Sequence, residues 1–257
     1  MLKRVVLVAT LLACMPASAL AQDQNAGFTA HGTVVAQVAF SGTRVTLGGD
    51  IAMMSRGQRL RFDLLRLTVP GTDPTMSALL SQFLPQGGIT AVIDQTTGST
   101  TVWSDARRKY YVFAGSKSDA APAAPAASNA VPGATGSIVQ MLEQGRAIRG
   151  YTSFAESVTM TGRSTVNGHP ATNLHITYRA QKRGGSLTDA VGDLSLAEDA
   201  EYLPVRIMAT VKPANYSARF EFTSLAPQAP DASVFNTPSG YAQASDPSEV
   251  FGAGIPH

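Results

Sequence analysis

Apolar and polar residues alternate along residues 28 to 69, the period expected of extended strands with one buried face. The alternation is interrupted at Ser41-Gly42 and Arg56-Gly57, both of which are turn sequences, so three strands are predicted. Gly48-Gly49, inside the second strand, predicts a bulge or a sharp bend. The shared apolar face comprises Val34, Ala36, Val38, Phe40, Val45, Leu47, Ile51, Met53, Leu60, Phe62 and Leu64.

Eight further strands are predicted, three before residue 115 and five after residue 150. Asn167-Gly168 is typical of a two-residue hairpin turn and separates the first two of the last five. The eight segments are residues 89–94, 99–104, 109–114, 151–166, 169–181, 191–201, 205–212 and 216–225. The pattern predicts a mainly β (α+β) fold, a strongly curved antiparallel sheet or unclosed β-barrel of about eleven strands.

Two segments have helical rather than alternating periodicity. Asp73-Pro74 is a helix start, and an apolar stripe follows until Pro85. Ser137 and Gln140 form a capping box for a second short helix that ends near Gly150. The two apolar stripes consist of Met76, Leu79, Leu80 and Phe83, and of Ile138, Met141, Leu142 and Ile148.

The first 21 residues have the pattern of an export signal. Lys3 and Arg4 precede an apolar run of residues 5–15, and Ala19-Leu20-Ala21 is a small-residue cleavage site. The run is too short to span a bilayer, which needs about 20 apolar residues. We therefore expect a soluble exported protein, located in the periplasm. Residues 11–14 also match a lipobox, so a lipid anchor on Cys14 is the alternative.

Without that signal the chain carries no net charge, because Lys3 and Arg4 account for the excess of 20 basic over 18 acidic residues. A neutral body has no electrostatic basis for binding nucleic acid, so we expect no nucleic-acid partner. Cys14 is the sole cysteine, which excludes an intrachain disulfide. The core must therefore be held by packing alone.

A single domain is predicted for residues 22–245. Residues 115–135 are rich in Ala, Pro, Ser and Gly and predict a flexible insertion, because such a composition buries little apolar surface. A domain boundary at this place is the alternative, but neither flank carries a complete sheet of its own. Residues 246–257 are predicted to be a flexible tail.

The sequence offers no catalytic constellation. It has no G-x-S-x-G elbow and no phosphate-binding glycine loop. His169 and His175 share a strand face about 20 Å apart, too far to hold one metal ion. Arg107-Arg108-Lys109 is typical of a solvated turn. We therefore predict a non-enzyme with no catalytic residues, no metal and no cofactor.

The two helices suggest a ligand pocket. A strongly curved sheet encloses more volume than two short helices fill, and the remainder would be an apolar cavity with the helices as its lid. A filled core in a structural or interaction protein of the cell envelope is the alternative, and an unrecognised hydrolase is a second one. The pocket candidates are Phe40, Met53, Phe62, Met76, Leu80, Trp103, Met141 and Leu142.

Five segments resemble the LolA/LolB-like periplasmic lipoprotein-carrier superfamily, over roughly residues 28 to 241. They are residues 89–94 (ITAVID), 109–111 (KYY), 161–170 (TGRSTVNGHP), 203–206 (LPVR) and 233–241 (SVFNTPSGY). The resemblance implies an unclosed β-barrel with a helical lid that binds acyl chains. As partner it implies an apolar small molecule, a lipid or a lipoprotein acyl chain. We further expect a monomer with peripheral contact to the cell envelope.

Overall fold

A computed structural model describes residues 27–40, 43–70, 87–94, 96–113, 151–182, 187–200, 202–212 and 216–251. Within the strands, the side chains of residues 38–40, 43, 151–156, 178–182, 187–188 and 212 lie outside this description. The predicted export signal, the helices at 73–85 and 137–150, the flexibility of 115–135 and the last six residues also fall outside the described ranges, so those predictions stay predictions.

The structure is mostly β, as the alternation predicted. The strands in chain order are β1 Gly27–Phe40, β2 Thr43–Arg56, β3 Arg59–Thr68, β4 Ile89–Asp94, β5 Ser99–Ser104, β6 Lys109–Phe113, β7 Tyr151–Val166, β8 His169–Lys182, β9 Leu187–Ala197, β10 Leu203–Lys212, β11 Tyr216–Ala226 and β12 Ala242–Gln243. Eleven of the twelve correspond to predicted strands, and β12 was not predicted. The described part also contains a 3₁₀ helix at Ala232–Phe235 and the α-helix α1, Ser248–Phe251.

All twelve strands belong to one sheet, in the order β12-β6-β5-β4-β3-β2-β1-β11-β10-β9-β8-β7. Neighbouring strands run antiparallel except β12, which pairs in parallel with β6. β12 and β7 are the two edges, and the sheet does not close on itself into a barrel. Both halves of the chain therefore meet in the middle, where β1 pairs with β11.

The hairpin between β7 and β8 shows how local sequence sets this topology. Val166 pairs with His169, leaving Asn167 and Gly168 as the two loop residues. Asn167 has φ 51° and Gly168 has φ 89°, both in the left-handed region that a type I′ turn requires. Asn167 also donates from its side chain to the carbonyl of Phe222 at 2.9 Å, which ties the hairpin to β11.

The predicted bend in β2 lies close to the two glycines. Gly49 pairs with Leu67, and the register between β2 and β3 shifts between Asp50 and Ile51. A Cβ atom on Gly49 would stand 2.4 Å from the carbonyl oxygen of Arg66, so only glycine fits this close approach of the two strands. Such irregularities increase the twist and curvature of a sheet.

Curvature brings distant strands into contact. Phe62 of β3 and Phe220 of β11 are separated by β2 and β1, about 14 Å in a flat sheet. Their ring centroids lie 6.2 Å apart in an edge-to-face arrangement. Because strand side chains stand roughly perpendicular to a sheet, the two rings meet on its concave side. One buried cluster extends from β3 across to β7 on this side.

Residues 246–251 correct the prediction of a flexible tail from residue 246. Val250 is fully buried and Phe251 nearly so, within helix α1. The side-chain carboxylate of Asp246 accepts from the backbone N–H of Ser248 at 2.7 Å. The segment is ordered because its two apolar residues find an apolar surface on the sheet, which a composition-based expectation for a chain end does not foresee.

Candidate functional site: the apolar inner face

The concave side of the sheet, called the inner face below, is defined by cross-strand pairs. Met53 of β2 pairs with Phe62 of β3, and Phe62 pairs with Ala91 of β4. Ala91 pairs with Val102 of β5, which pairs in turn with Tyr111 of β6. Directly paired residues point to the same side of a sheet, so these five side chains form one continuous apolar row.

The row continues through the second half of the chain. On the other side of β2, Ala30 of β1 pairs with Met53. Further along β1, Val34 pairs with Phe220 of β11, which pairs with Ile207 of β10. Ile207 pairs with Leu194 of β9, which pairs with Leu174 of β8. All these residues belong to one buried cluster together with Phe62. The inner face is therefore apolar from β6 to β8.

Met53 and Phe62, two of the predicted pocket residues, lie together on this face. Met53 is 1% exposed and Phe62 is 8% exposed. Five other candidates lie outside what the structure describes: Met76, Leu80, Met141 and Leu142 completely, and Phe40 by its side chain. The pocket that all eight candidates would line together is therefore still a prediction.

Trp103 is separated from the other two candidates. It pairs with Thr90 and with Tyr110, so it points to the convex side of the sheet, called the outer face below. Its neighbour Val102 occupies the inner face. A pocket on the inner face cannot include the Trp103 ring, which corrects the grouping of Trp103 with Met53 and Phe62. The sequence alternation assigns side chains to faces only within the first three strands. It therefore does not place Trp103 of β5 relative to Met53 and Phe62.

Ser55 is a buried polar residue on the inner face, as are Ser104 and Thr172. It lies two residues after Met53 and pairs with Phe28 and with Leu60, both of which are buried. Its Oγ is buried and has no hydrogen-bond partner among the described residues. Buried polar groups are almost always paired, so this hydroxyl retains unused hydrogen-bonding capacity inside an apolar cluster.

On the outer face, Arg61 organises a buried polar group. Its Nε donates to both carboxylate oxygens of Asp63 at 2.9 Å, and its guanidinium lies 5.4 Å from the centroid of the Trp103 ring. Asp63, 3% exposed, also accepts from the hydroxyl of Thr90 at 2.6 Å. The Nη1 of Arg61 donates to the backbone carbonyl of Val234 at 2.5 Å. This charged pair therefore anchors the chain that follows β11.

Residues 230–251, called the C-terminal segment below, pass from the outer to the inner face. Val234 and Phe235 pack with Val92 and Trp103 on the outer face. β12 then extends the sheet beside β6, with Ala242 N donating to the carbonyl of Arg108 at 3.0 Å and Ala244 N to that of Tyr110 at 2.7 Å. Helix α1 finally packs on the inner face of β4, β5 and β6. The C-terminal segment therefore covers the outer face, the edge and the inner face of the sheet near β6.

One ion pair attaches the end of this segment. Lys109 Nζ contacts Glu249 Oε2, and the other carboxylate oxygen of Glu249 accepts from the backbone and hydroxyl of Ser245 at 2.9 and 2.7 Å. The hydrogen bond from Lys109 and those from Ser245 lower the pKa of Glu249 to about 2. Tyr241 donates to Asp105 at 2.8 Å at the start of the same stretch, and burial followed by this contact raises the pKa of the tyrosine.

The outer face of the second half carries polar side chains. Arg206 Nε and Arg219 donate to Glu221 Oε1 at 2.8 and 2.6 Å, and the hydrogen bond from Arg219 is the main reason that the pKa of Glu221 is lowered. His175 Nδ1 lies 2.8 Å from Asp193 Oδ1. Because these strands have one polar and one apolar face, polar and apolar residues alternate regularly along their sequence.

Two further carboxylates, those of Asp94 and Asp231, have lowered pKa values. Burial raises the pKa of Asp94, but hydrogen bonds from Thr96 and Thr97 and the charge of Arg59 outweigh it, so the net pKa is lowered. Asp231 likewise has a lowered pKa, chiefly because its carboxylate accepts from Ser233. Carboxylates with lowered pKa values stay ionised at neutral pH and serve as acceptors rather than proton donors.

Two of the four histidines, His169 and His175, each lie beside an aspartate carboxylate. His169 Nδ1 lies 3.0 Å from Asp199 Oδ1, and His175 pairs with Asp193. Among the residues that the structure describes, no group of three His, Cys, Asp or Glu side chains could hold a metal ion. Among the same residues, no helix combines the length and the apolar character needed to cross a membrane.

Comparison with families and curated proteins found no counterpart. No family model matches this chain. No curated protein matches it either.

Several solved structures are similar to it. An uncharacterised conserved protein from Thermus thermophilus is 9% identical, with a TM-score of 0.43 over 92% of this chain and 98% of that one. A domain from Vibrio parahaemolyticus assigned to outer membrane lipoprotein sorting is 10% identical, with a TM-score of 0.36 over 88% and 95% of the two chains. The Mycobacterium tuberculosis lipoprotein LppX is 11% identical, with a TM-score of 0.34 over 86% and 98%.

Because their TM-scores lie between 0.34 and 0.43, neither the fold nor the function of this chain is inferred from these structures, and the resemblance to lipoprotein carriers stays a prediction from the sequence. Identities of 9 to 11% do not transfer a ligand or a residue role to this chain. The functional argument therefore rests on the inner face and the C-terminal segment.

The sequence predictions missed the contribution of Val250 and Phe251 to this site. A signal was present, since Asp246-Pro247 repeats the combination of N-cap and proline that predicted a helix at Asp73-Pro74. It precedes an apolar pair at the right distance for a short helix.

Proposed function

We propose that this chain is an exported, non-enzymatic binding protein of the bacterial cell envelope. In this proposal it holds a lipid, an acyl chain or another apolar molecule against the inner face of its curved sheet. The helices predicted at residues 73–85 and 137–150 would cover the ligand, with Met76, Leu80, Met141 and Leu142 turned toward it.

One observation carries the proposal: every strand from β6 to β8 in the sheet order contributes an apolar side chain to the inner face, and the sheet does not close. A closed small barrel fills its interior with its own side chains, whereas an open curved sheet leaves one side for another occupant. Unbranched Met53 beside Phe62 suits a flexible acyl chain, because a methionine side chain adapts to irregular shapes.

The polar groups support a binding role rather than a catalytic one. The described carboxylates with displaced pKa values are held ionised by arginine, lysine, hydroxyl or backbone donors. Ser55 adds a buried hydroxyl that could donate to a carbonyl or carboxylate oxygen of a ligand. A ligand with an apolar chain and one acceptor group would therefore fit this face best.

A second function is favoured by the low exposure of the inner face. Met53, Ile51, Leu174 and Leu194 are each 1 or 2% exposed, as in a core that needs no ligand. In that case the protein would be a structural or interaction module of the cell envelope with a filled sheet.

Native mass spectrometry of the protein purified from its own cell envelope separates the two functions. A binding protein should carry a co-purifying species with the mass of a lipid or fatty acid, which organic extraction removes. The extracted protein should then regain dansyl-undecanoate fluorescence in a saturable titration. A chain that carries no such species and, after extraction, does not bind the probe would favour the filled module.

A further inference from the structure

The inner face consists of two parts, which belong to different buried clusters. Most of it, from β1 to β3 and from β7 to β11, forms the large buried cluster that contains Phe62. The part on β4, β5 and β6 is covered instead by Ala244, Val250 and Phe251 of the C-terminal segment. The two parts are continuous, because Phe62 pairs directly with Ala91 beneath helix α1.

The C-terminal segment is attached unequally along its length. Its first part is bound on the outer face by two hydrogen bonds. Arg61 donates to the carbonyl of Val234, and Arg56 Nη1 donates to the carbonyl of Pro230 at 2.8 Å. The last part of the segment is held by the β12 hydrogen bonds, the partly exposed pair of Lys109 with Glu249, and the burial of Val250 and Phe251 in a four-residue helix. A helix this short has no stability of its own, so its order depends on the contact of Val250 and Phe251 with the sheet, and a ligand that takes their place would release it.

The boundary between the two parts lies at Gly240 and Tyr241. Gly240 has φ +77°, and a Cβ there would stand 3.1 Å from the guanidinium of Arg108. Tyr241, directly after it, packs against the Trp103 cluster on the outer face and donates to Asp105, so it is the last residue of the first part. Residues 242–251 can therefore leave the sheet while residues 230–241 stay in place.

On these grounds we propose that residues 242–251 are a displaceable plug of the ligand site. With the site empty or holding a short ligand, Val250 and Phe251 cover the inner face of β4 to β6. A long acyl chain extends past Phe62 onto Ala91 and Val102 and takes the place of helix α1. This inference rests on the proposed function and adds a selection by chain length to it.

Hydrogen exchange provides the direct test. Stearate should accelerate exchange of the backbone amides of Ala242 and Ala244, whose partners are the carbonyls of Arg108 and Tyr110. Decanoate, a short acid of the same head group, should leave both amides protected. Slower or unchanged exchange with bound stearate would overturn the plug.

A locked variant gives the second arm. Tyr110 and Gln243 are paired neighbours on β6 and β12, within reach of a disulfide, and their side chains meet at 3.3 Å. In a chain expressed from Gln22, Tyr110→Cys with Gln243→Cys introduces the sole cysteines. The oxidised form should keep decanoate binding and lose stearate affinity by about tenfold or more, that is about 1.4 kcal/mol or more. The reduced form should bind both acids.

The outcomes distinguish the plug from the binding function. Equal stearate affinity in the oxidised and reduced forms would overturn the plug and leave the binding function standing. Failure of the wild-type chain to bind either acid would overturn the binding function, and the plug with it. Near-identical melting temperatures of the wild-type and the reduced variant establish that the comparison is between folded proteins.

Discussion

Phe62 and Trp103 lie on opposite faces of the sheet, although only β4 separates their strands. Phe62 pairs with Ala91 and is edge-to-face with Phe220 on the inner face. Trp103 pairs with Thr90 and lies under Arg61 on the outer face. The chain thus has an aromatic reporter on each side, and Trp103 is its sole tryptophan.

This arrangement allows the ligand face to be identified by fluorescence quenching. With Phe62→Trp in a Trp103→Phe background, a brominated stearate should quench the single tryptophan, because bromine quenches by close contact. The larger ring costs about 1–3 kcal/mol in a packed core. The wild-type chain is the matched control, since its Trp103 faces away and should keep its emission. Equal quenching of both proteins would contradict ligand binding on the inner face.

Arg61 should stabilise the fold through its buried partner Asp63. Arg61→Met leaves the buried Asp63 carboxylate without its cation, and breaking such a pair costs about 3–5 kcal/mol of the free energy of unfolding. Its matched control is Arg59→Met, which removes a half-exposed partner of Asp94 and should cost about 1 kcal/mol or less. Urea titrations measure both.

Adding Asp63→Leu to Arg61→Met should recover much of the loss, because an apolar pair replaces an isolated buried charge. If the double variant were less stable than Arg61→Met alone, the unpaired carboxylate would not be the origin of the effect.

Ser55→Ala should be neutral or stabilising in the ligand-free protein. The substitution removes a buried hydroxyl without a described partner, and desolvating such a group costs about 1–3 kcal/mol. Thr90→Val is the control, because it removes a buried hydroxyl that donates to Asp63 and should destabilise. Thermal unfolding distinguishes the two, and a loss of stability in Ser55→Ala comparable to that in Thr90→Val would show that the hydroxyl is paired.

The contact between Lys109 and Glu249 predicts a pH dependence. The pKa of Glu249 falls from 4.5 to about 2 on folding, so its contribution to stability is complete above pH 4.5 and is lost as the pH falls toward 2. The melting temperature of Glu249→Gln should therefore lie below that of the wild-type chain at pH 6, and the difference should narrow between pH 4.5 and 2. Asp50→Asn, at an exposed carboxylate paired with Arg66, serves as the control. A difference that stayed constant over this range would contradict the role of the ionised carboxylate.

Much of the fold follows from local sequence. Asn167 and Gly168 adopt positive φ because their type I′ turn requires it, and the strands on either side start where the alternation resumes. Met53 and Phe62 could be placed on one face because a period of two assigns every side chain of a hairpin once its turn is known. These features depend on residues a few positions apart, and sequence reasoning recovered them.

The site depends on contacts between residues far apart in the chain. Alternation sorts a strand into two faces, but it does not say which is concave when both are covered, as at Ala52 and Met53, each 1% exposed. For this reason the sequence pattern alone assigns Trp103 to the wrong face.

The sequence by itself determined the strands, their turns and the residues that share a face, because these follow from backbone geometry within hairpins. Only the tertiary structure decided that β1 pairs with β11, that Phe62 meets Phe220, and that Val250 and Phe251 cover the inner face of β4 to β6. Each of these contacts joins chain segments more than a hundred residues apart. Their formation depends on the curvature of the whole sheet and on the apolar surface left uncovered at its edge, which no local pattern encodes.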